Sequence, residues 1–226
     1  MKKLACARRI ILLSELEALG NIPSFRFDKD DNICIIPVCC RSPLVTDANS
    51  FTSFFCKKGT KGERYKNILM ANGAVESNIS FVNYYDPDSY SEKERILNND
   101  FIILPGGLME RGVERLYETK LDSALAEFSG TIIGFSAGAI MLFDEYLITP
   151  NKVYKELKIS KGIGILDGSK FMIDVHYNES DIQQRNAIET MCALRNLNVF
   201  AITQSGYVII EEDNVVLSSD VKLFHG

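Results

Sequence analysis

The chain has 226 residues, with 25 Lys and Arg against 30 Asp and Glu, for a net charge of −5. That balance argues against a general nucleic-acid binder, which carries a basic face, and no apolar run approaches the ~20 residues that cross a bilayer. Six cysteines without C-x-x-C spacing and only two histidines, His176 and His225, speak against a zinc centre or a dithiol redox motif.

Lys2 and Lys3 precede an apolar stretch that Arg8 and Arg9 interrupt, so no signal-peptide core is expected and the cytoplasm is the expected compartment. Short runs at 9–13, 33–38, 79–83, 101–104, 131–135, 171–175 and 199–203 are rich in Ile, Val and Phe and lack polar alternation. They predict strands covered on both faces, as in a parallel sheet. Cys34, Cys39 and Cys40 fall in or just after the second run, where cysteine behaves as a small hydrophobe. Helices are expected over 63–72, after a capping box of Ser91 and Glu94, over 109–128, and after a cap at Asp181. Residues 144–170 carry Pro150, Gly162, Gly164 and Gly168 without clear periodicity, and read as a long connection that could lid a site. Tyr207–Ile210 and Val215–Leu217 predict an antiparallel edge hairpin, with a short tail after it. This order predicts one doubly wound α/β domain over 1–226, with ligands at the carboxyl ends of the strands. Neither a phosphate loop nor a dinucleotide fingerprint is present.

One motif carries chemistry. Gly134-Phe135-Ser136-Ala137-Gly138 follows a predicted strand and precedes Ala139, Ile140, Met141 and Leu142. A serine on a tight strand-to-helix turn, between small neighbours that let the turn close, is the arrangement of an activated nucleophile. The N–H of Ala137 would then face a developing oxyanion. Upstream, Pro105-Gly106-Gly107-Leu108 ends another strand, and its glycine pair lets backbone N–H groups approach a ligand. Gly107 is thus a candidate second oxyanion donor. A serine nucleophile needs a base, and His176 closes the strand at 171–175, whereas His225 is penultimate. Asp174 lies two residues before His176 and is a fallback partner for it.

These residues resemble the peptidase E family of serine peptidases, the aspartyl dipeptidases with their cyanophycinase relatives. The resemblance rests on Gly134-Phe-Ser136-Ala-Gly138-Ala, on Gly106-Gly107 after a strand ending in Leu104, and on Asp174-Val-His176-Tyr177. It implies a three-layer, class I glutamine amidotransferase-like α/β fold without a cofactor or a metal. Ser136 would be the nucleophile, His176 the general base, and Gly107 and Ala137 the oxyanion donors, with Gly106 beside the substrate. The family's third triad member aligns near Asn151 or near Gln204, both amides here, and Gln204 is the residue assigned. Its basic specificity group matches Arg185, with Ile182 three residues earlier. Leu108 stands where the family shows asparagine.

The expected activity is hydrolysis of small peptides through an acyl-enzyme, with no nucleic-acid or membrane partner and with a homodimer left open. Two alternatives accompany it. One is a weakened relative that binds a small ligand or partner, motivated by Leu108, Asn151, Ile182 and Gln204. The other is a different serine amidase or esterase, which would share the nucleophile.

Overall fold

The computed structural model describes residues 8–85, 89–212 and 214–226, and the side chains of 89–91 also lie outside the description. The capping box expected at Ser91 therefore falls outside the described residues. Twelve strands are described. Five of them, β1 (Arg9–Leu13), β2 (Ile33–Ile35), β3 (Ile79–Phe81), β4 (Phe101–Leu104) and β5 (Thr131–Phe135), pair in parallel in the order β1-β5-β4-β2-β3. Helices α1 (Ala48–Phe55), α2 (Lys61–Ala71), α3 (Ser89–Leu97), α4 (Met109–Thr119) and α5 (Leu121–Glu127) fall between these strands in sequence. The strands are buried almost throughout, Ile11, Leu12, Ile33, Ile103 and Ile133 completely, which is why their sequences read as unbroken apolar runs.

After β5 comes a single helical turn, α6 (Ala137–Ile140), and then β6 (Glu145–Ile148) and β7 (Lys158–Lys161). The segment at 144–170 is thus no bare connection: β6 and β7 pair antiparallel, Tyr146 opposite Ser160. Next come β8 (Phe171–Val175), α7 (Ile182–Arg195) and β9 (Asn198–Ile202). These two strands pair in parallel with each other but belong to a separate sheet. The expected hairpin is present as β10 (Tyr207–Glu211) and β11 (Asn214–Leu217), which extends the large sheet antiparallel from β1. The expected tail is a strand, β12 (Val221–Phe224), antiparallel to β9, so the second sheet runs β12-β9-β8.

The apolar residues form two clusters, and one face of the small sheet, Ile173, Val175, Phe200 and Ile202, belongs to the larger of them. The larger gathers Ile10 to Leu13, Ile33 to Ile36, Ile102 to Leu104 and the α4–α6 side chains, and the smaller gathers Met172, Tyr177, Ile188, Met191, Val199 and Ala201. Ser14, fully buried just past β1, links them: its hydroxyl donates to the carbonyl of Ile202 at 2.7 Å and accepts from the N–H of His176 at 2.8 Å. Among the described residues no helix is long and apolar enough to cross a membrane.

Candidate active site

Ser136 sits between β5 and α6 with φ 53° and ψ −124°, a conformation that a residue with a side chain rarely adopts. Two features hold it there. Its N–H donates to the carbonyl of Leu13 at 2.9 Å, continuing the β1–β5 ladder. Beyond the turn, Gly138 packs directly against the backbone of β4, where a Cβ would lie 1.9 Å from the carbonyl oxygen of Leu104. Any side chain at 138 would lift the helix away and flatten the turn. Ala137 is the first residue of α6, so its N–H has no intrahelical acceptor.

The glycine pair after β4 lies alongside. A Cβ on Gly106 would meet the Cβ of Ser136 at 2.7 Å, and one on Gly107 would lie 1.8 Å from the carbonyl oxygen of Cys39. The backbone at 106–107 is thus wedged between Ser136 and the chain after β2. Leu108, where the resemblance led to an asparagine, instead precedes α4 and donates its N–H to the carbonyl of Cys39 at 2.8 Å.

His176 follows β8 and, like Ser136, has a positive φ, 56°. That reversal takes its side chain out of the strand's alternation, so His176 and Asp174 do not share a face. Nε2 lies 2.9 Å from Ser136 Oγ. On the other side of the ring, Nδ1 lies 3.4 Å from Gln204 Oε1 and 3.7 Å from Glu15 Oε1. In the Nδ1–H tautomer the Gln204 amide oxygen accepts from the ring, and Nε2 is left free to accept from the serine hydroxyl.

The fallback partner, Asp174, is not on His176. It is almost fully buried, accepting from Thr149 Oγ1 at 2.9 Å and Gln184 Nε2 at 2.7 Å. Burial pushes its carboxyl up to about 7, against the pull of those two hydrogen bonds. The other amide, Asn151, is occupied within its own loop, donating to the carbonyl of Thr149 at 3.0 Å and accepting from the N–H groups of Val153 and Tyr154.

These groups open into a cleft of about 760 Å³ lined by Gly106, Gly107, Ser136, Ala137, His176 and Gln204. Arg41, Lys61 and Lys152 also line it, as does Arg64, which is paired with Glu17 at 2.6 Å. Arg185 does not line this cleft; its guanidinium reaches the carbonyl of Glu179 at 3.4 Å. The structure therefore brings together Ser136, His176, Gln204, Gly106, Gly107 and Ala137, and leaves Arg185 apart. It adds Glu15, which no motif in the sequence marks. One signal does point to it: Glu15 lies just past the carboxyl end of a strand in the parallel sheet, where such sheets place functional groups. Cys39, close to the glycine pair, is not a competing nucleophile, because burial pushes its thiol up to about 12.

The model of peptidase family S51 matches residues 63–218. A candidate peptidase E protein from Listeria monocytogenes EGD-e has a similar structure, with TM-score 0.67 and 16% identity, over 94% of this chain and 98% of that one. A peptidase from an acI-B1 Actinobacterium matches with TM-score 0.59 and 13% identity, over 97% of this chain and 95% of that one. At these identities the two structures bear on the fold alone. No curated protein matches the chain in sequence. With its α/β fold and a family match that spans both Ser136 and His176, the chain belongs to peptidase family S51 and is a peptidase.

Proposed function

We propose that the chain is a serine-type peptidase acting on small peptides, with Ser136 on a nucleophile elbow and His176 as its base. The observation that carries this reading is the 2.9 Å contact between Ser136 Oγ and His176 Nε2, made by a serine held at positive φ. In the acylation step Nε2 takes the hydroxyl proton as Oγ bonds to the substrate carbonyl carbon. The carbonyl electron pair moves to oxygen, which the N–H groups of Gly107 and Ala137 receive. His176 then passes its proton to the departing amine nitrogen as the C–N bond breaks. Water repeats the sequence: Nε2 takes its proton, the oxygen attacks the acyl carbon, and Ser136 leaves with the proton returned. Gln204 orients the imidazole, Gly106 leaves room for the substrate beside Ser136, and none of these steps calls on a cofactor.

The reading covers residues 1–226 as one peptidase unit, supported by a continuous apolar core that runs from Ile10 to Ile210. The proposed compartment is the cytoplasm, in keeping with Cys34, Cys39, Cys40 and Cys192 buried as free thiols. The test is labelling by a fluorophosphonate probe together with turnover of a dipeptide panel. Both are expected in the wild type and absent in Ser136→Ala. Failure of the wild type to be labelled, where a known serine peptidase reacts, would refute the assignment.

A second reading has one specific observation behind it: the oxygen nearest His176 Nδ1 is an amide. An amide in place of the triad carboxylate can lower kcat by about 10⁴. The chain would then be a weakened relative that binds a small ligand in the same cleft, and Ser136-dependent turnover would eliminate that reading.

A further inference from the structure

Resting on the serine-peptidase reading, we propose that the duties of a triad carboxylate are divided here between two residues, with Gln204 fixing the imidazole tautomer and Glu15 supplying the negative charge. Both oxygens address the same ring nitrogen, Gln204 Oε1 at 3.4 Å and Glu15 Oε1 at 3.7 Å from His176 Nδ1. The amide oxygen is the nearer and can only accept, so it holds the proton on Nδ1. It carries no charge, however, and does little for the imidazolium that forms when Nε2 takes the proton of Ser136. A carboxylate 3.7 Å from Nδ1 does that work by Coulomb attraction without needing the hydrogen bond itself. Glu15 is thus a positioning and charge-compensating residue that acts through His176, without touching the substrate.

The chain arrives there for local reasons. Glu15 directly follows Ser14, whose hydroxyl receives the His176 N–H at 2.8 Å, so two consecutive residues after β1 address the backbone and the ring of the same histidine. The other carboxylates that line the cleft are committed elsewhere. Glu17 is paired with Arg64 of α2, Asp174 of β8 is held by Thr149 and Gln184, and Asp181 caps α7 through the N–H of Gln184 at 3.0 Å. Asn151, the other amide position near the cleft, is spent on its own loop.

The presence of only two histidines makes the test direct. Imidazole nitrogen NMR on the whole chain should show His176 as the Nδ1–H tautomer, with exposed His225 as an internal reference. Glu15→Gln should lower the titration midpoint of His176, because a neighbouring negative charge favours the protonated ring. Gln204→Ala should instead erode the fixed tautomer. Gln204→Glu in the Glu15→Gln background should bring the midpoint back up. In parallel, the acidic limb of the fluorophosphonate labelling rate should move to lower pH in Glu15→Gln, with a loss of roughly tenfold or more at its plateau. A His176 midpoint unmoved by Glu15→Gln overturns the proposal. That outcome is readable whether or not the wild type is labelled, so it is distinct from failure of the peptidase assignment.

Discussion

Replacement of Asp174 by asparagine should make this protein more stable at pH 8 while changing little at pH 4. An aspartate in an unfolded chain ionises near 3.9, whereas enclosure by β8, Thr149 and Gln184 raises Asp174 to about 7 in the fold. Below pH 4 the carboxyl is neutral in both states and contributes no pH-dependent penalty. Between pH 4 and 7 the unfolded chain releases the proton and the folded chain retains it, so stability falls steadily as pH rises. Above pH 7 the loss levels off. Three pH units at 1.36 kcal/mol each give a penalty of about 4 kcal/mol. The substituted amide would not titrate, and Thr149, which can accept as well as donate, would turn to receive its N–H. The assay is urea unfolding of wild type and Asp174→Asn at pH 4, 6 and 8. The gap between them should widen by up to about 4 kcal/mol across that range, or about 10 °C in Tm for a chain of this size. A gap constant from pH 4 to pH 8 would show that Asp174 ionises normally, and the argument from its burial would fail.

Two further substitutions probe the site's framework. In Gly107→Ala, the new Cβ would sit 1.8 Å from the Cys39 carbonyl oxygen, so the backbone must shift. With the N–H of residue 107 displaced, fluorophosphonate labelling should slow by about 10²–10³-fold; an unchanged rate in a protein with an unchanged melt would exclude Gly107 as an oxyanion donor. Ser14→Ala removes a fully buried hydroxyl that serves the His176 N–H and the Ile202 carbonyl, and should cost about 1–3 kcal/mol in urea unfolding. A loss below about 0.5 kcal/mol would mean that those two backbone groups find other partners.

The sequence is most legible where burial on both faces leaves only apolar residues. The runs at 9–13, 101–104, 131–135 and 171–175 coincide with β1, β4, β5 and β8. The cap at Asp181 is also readable, because its carboxylate takes the N–H of Gln184 through a purely local contact. Strands β7 and β12 are not. Lys158-Ile-Ser-Lys161 and Val221-Lys-Leu-Phe224 are half-exposed and become strands only through their pairing with β6 and β9. Helix α1 does leave a trace in the reciprocal capping of Asp47 and Ser50, with Phe51 and Phe55 one turn apart beneath it.

In the site, Ser136 and the two glycine motifs can be read because their chemistry is encoded in consecutive residues. Glu15 lies far from His176 in sequence, and what joins them is the seam between two sheets. Asp174 misleads for a related reason. Strand alternation would pair it with His176, but the positive φ at His176 turns the ring elsewhere.

Ser136 is carried by the seven-stranded sheet and His176 by the three-stranded one, so their 2.9 Å contact spans two sheets joined by one apolar cluster, to which Ile173, Val175, Phe200 and Ile202 of the smaller sheet belong. The catalytic distance is therefore a gauge of alignment between those two sheets. Misplacing a reacting group by 1 Å can cost about 10²-fold in rate, while a slip of that size between packed layers need not unfold either one. Substitutions along this seam, remote from Ser136, would be expected to extinguish activity well before they register in a melting curve.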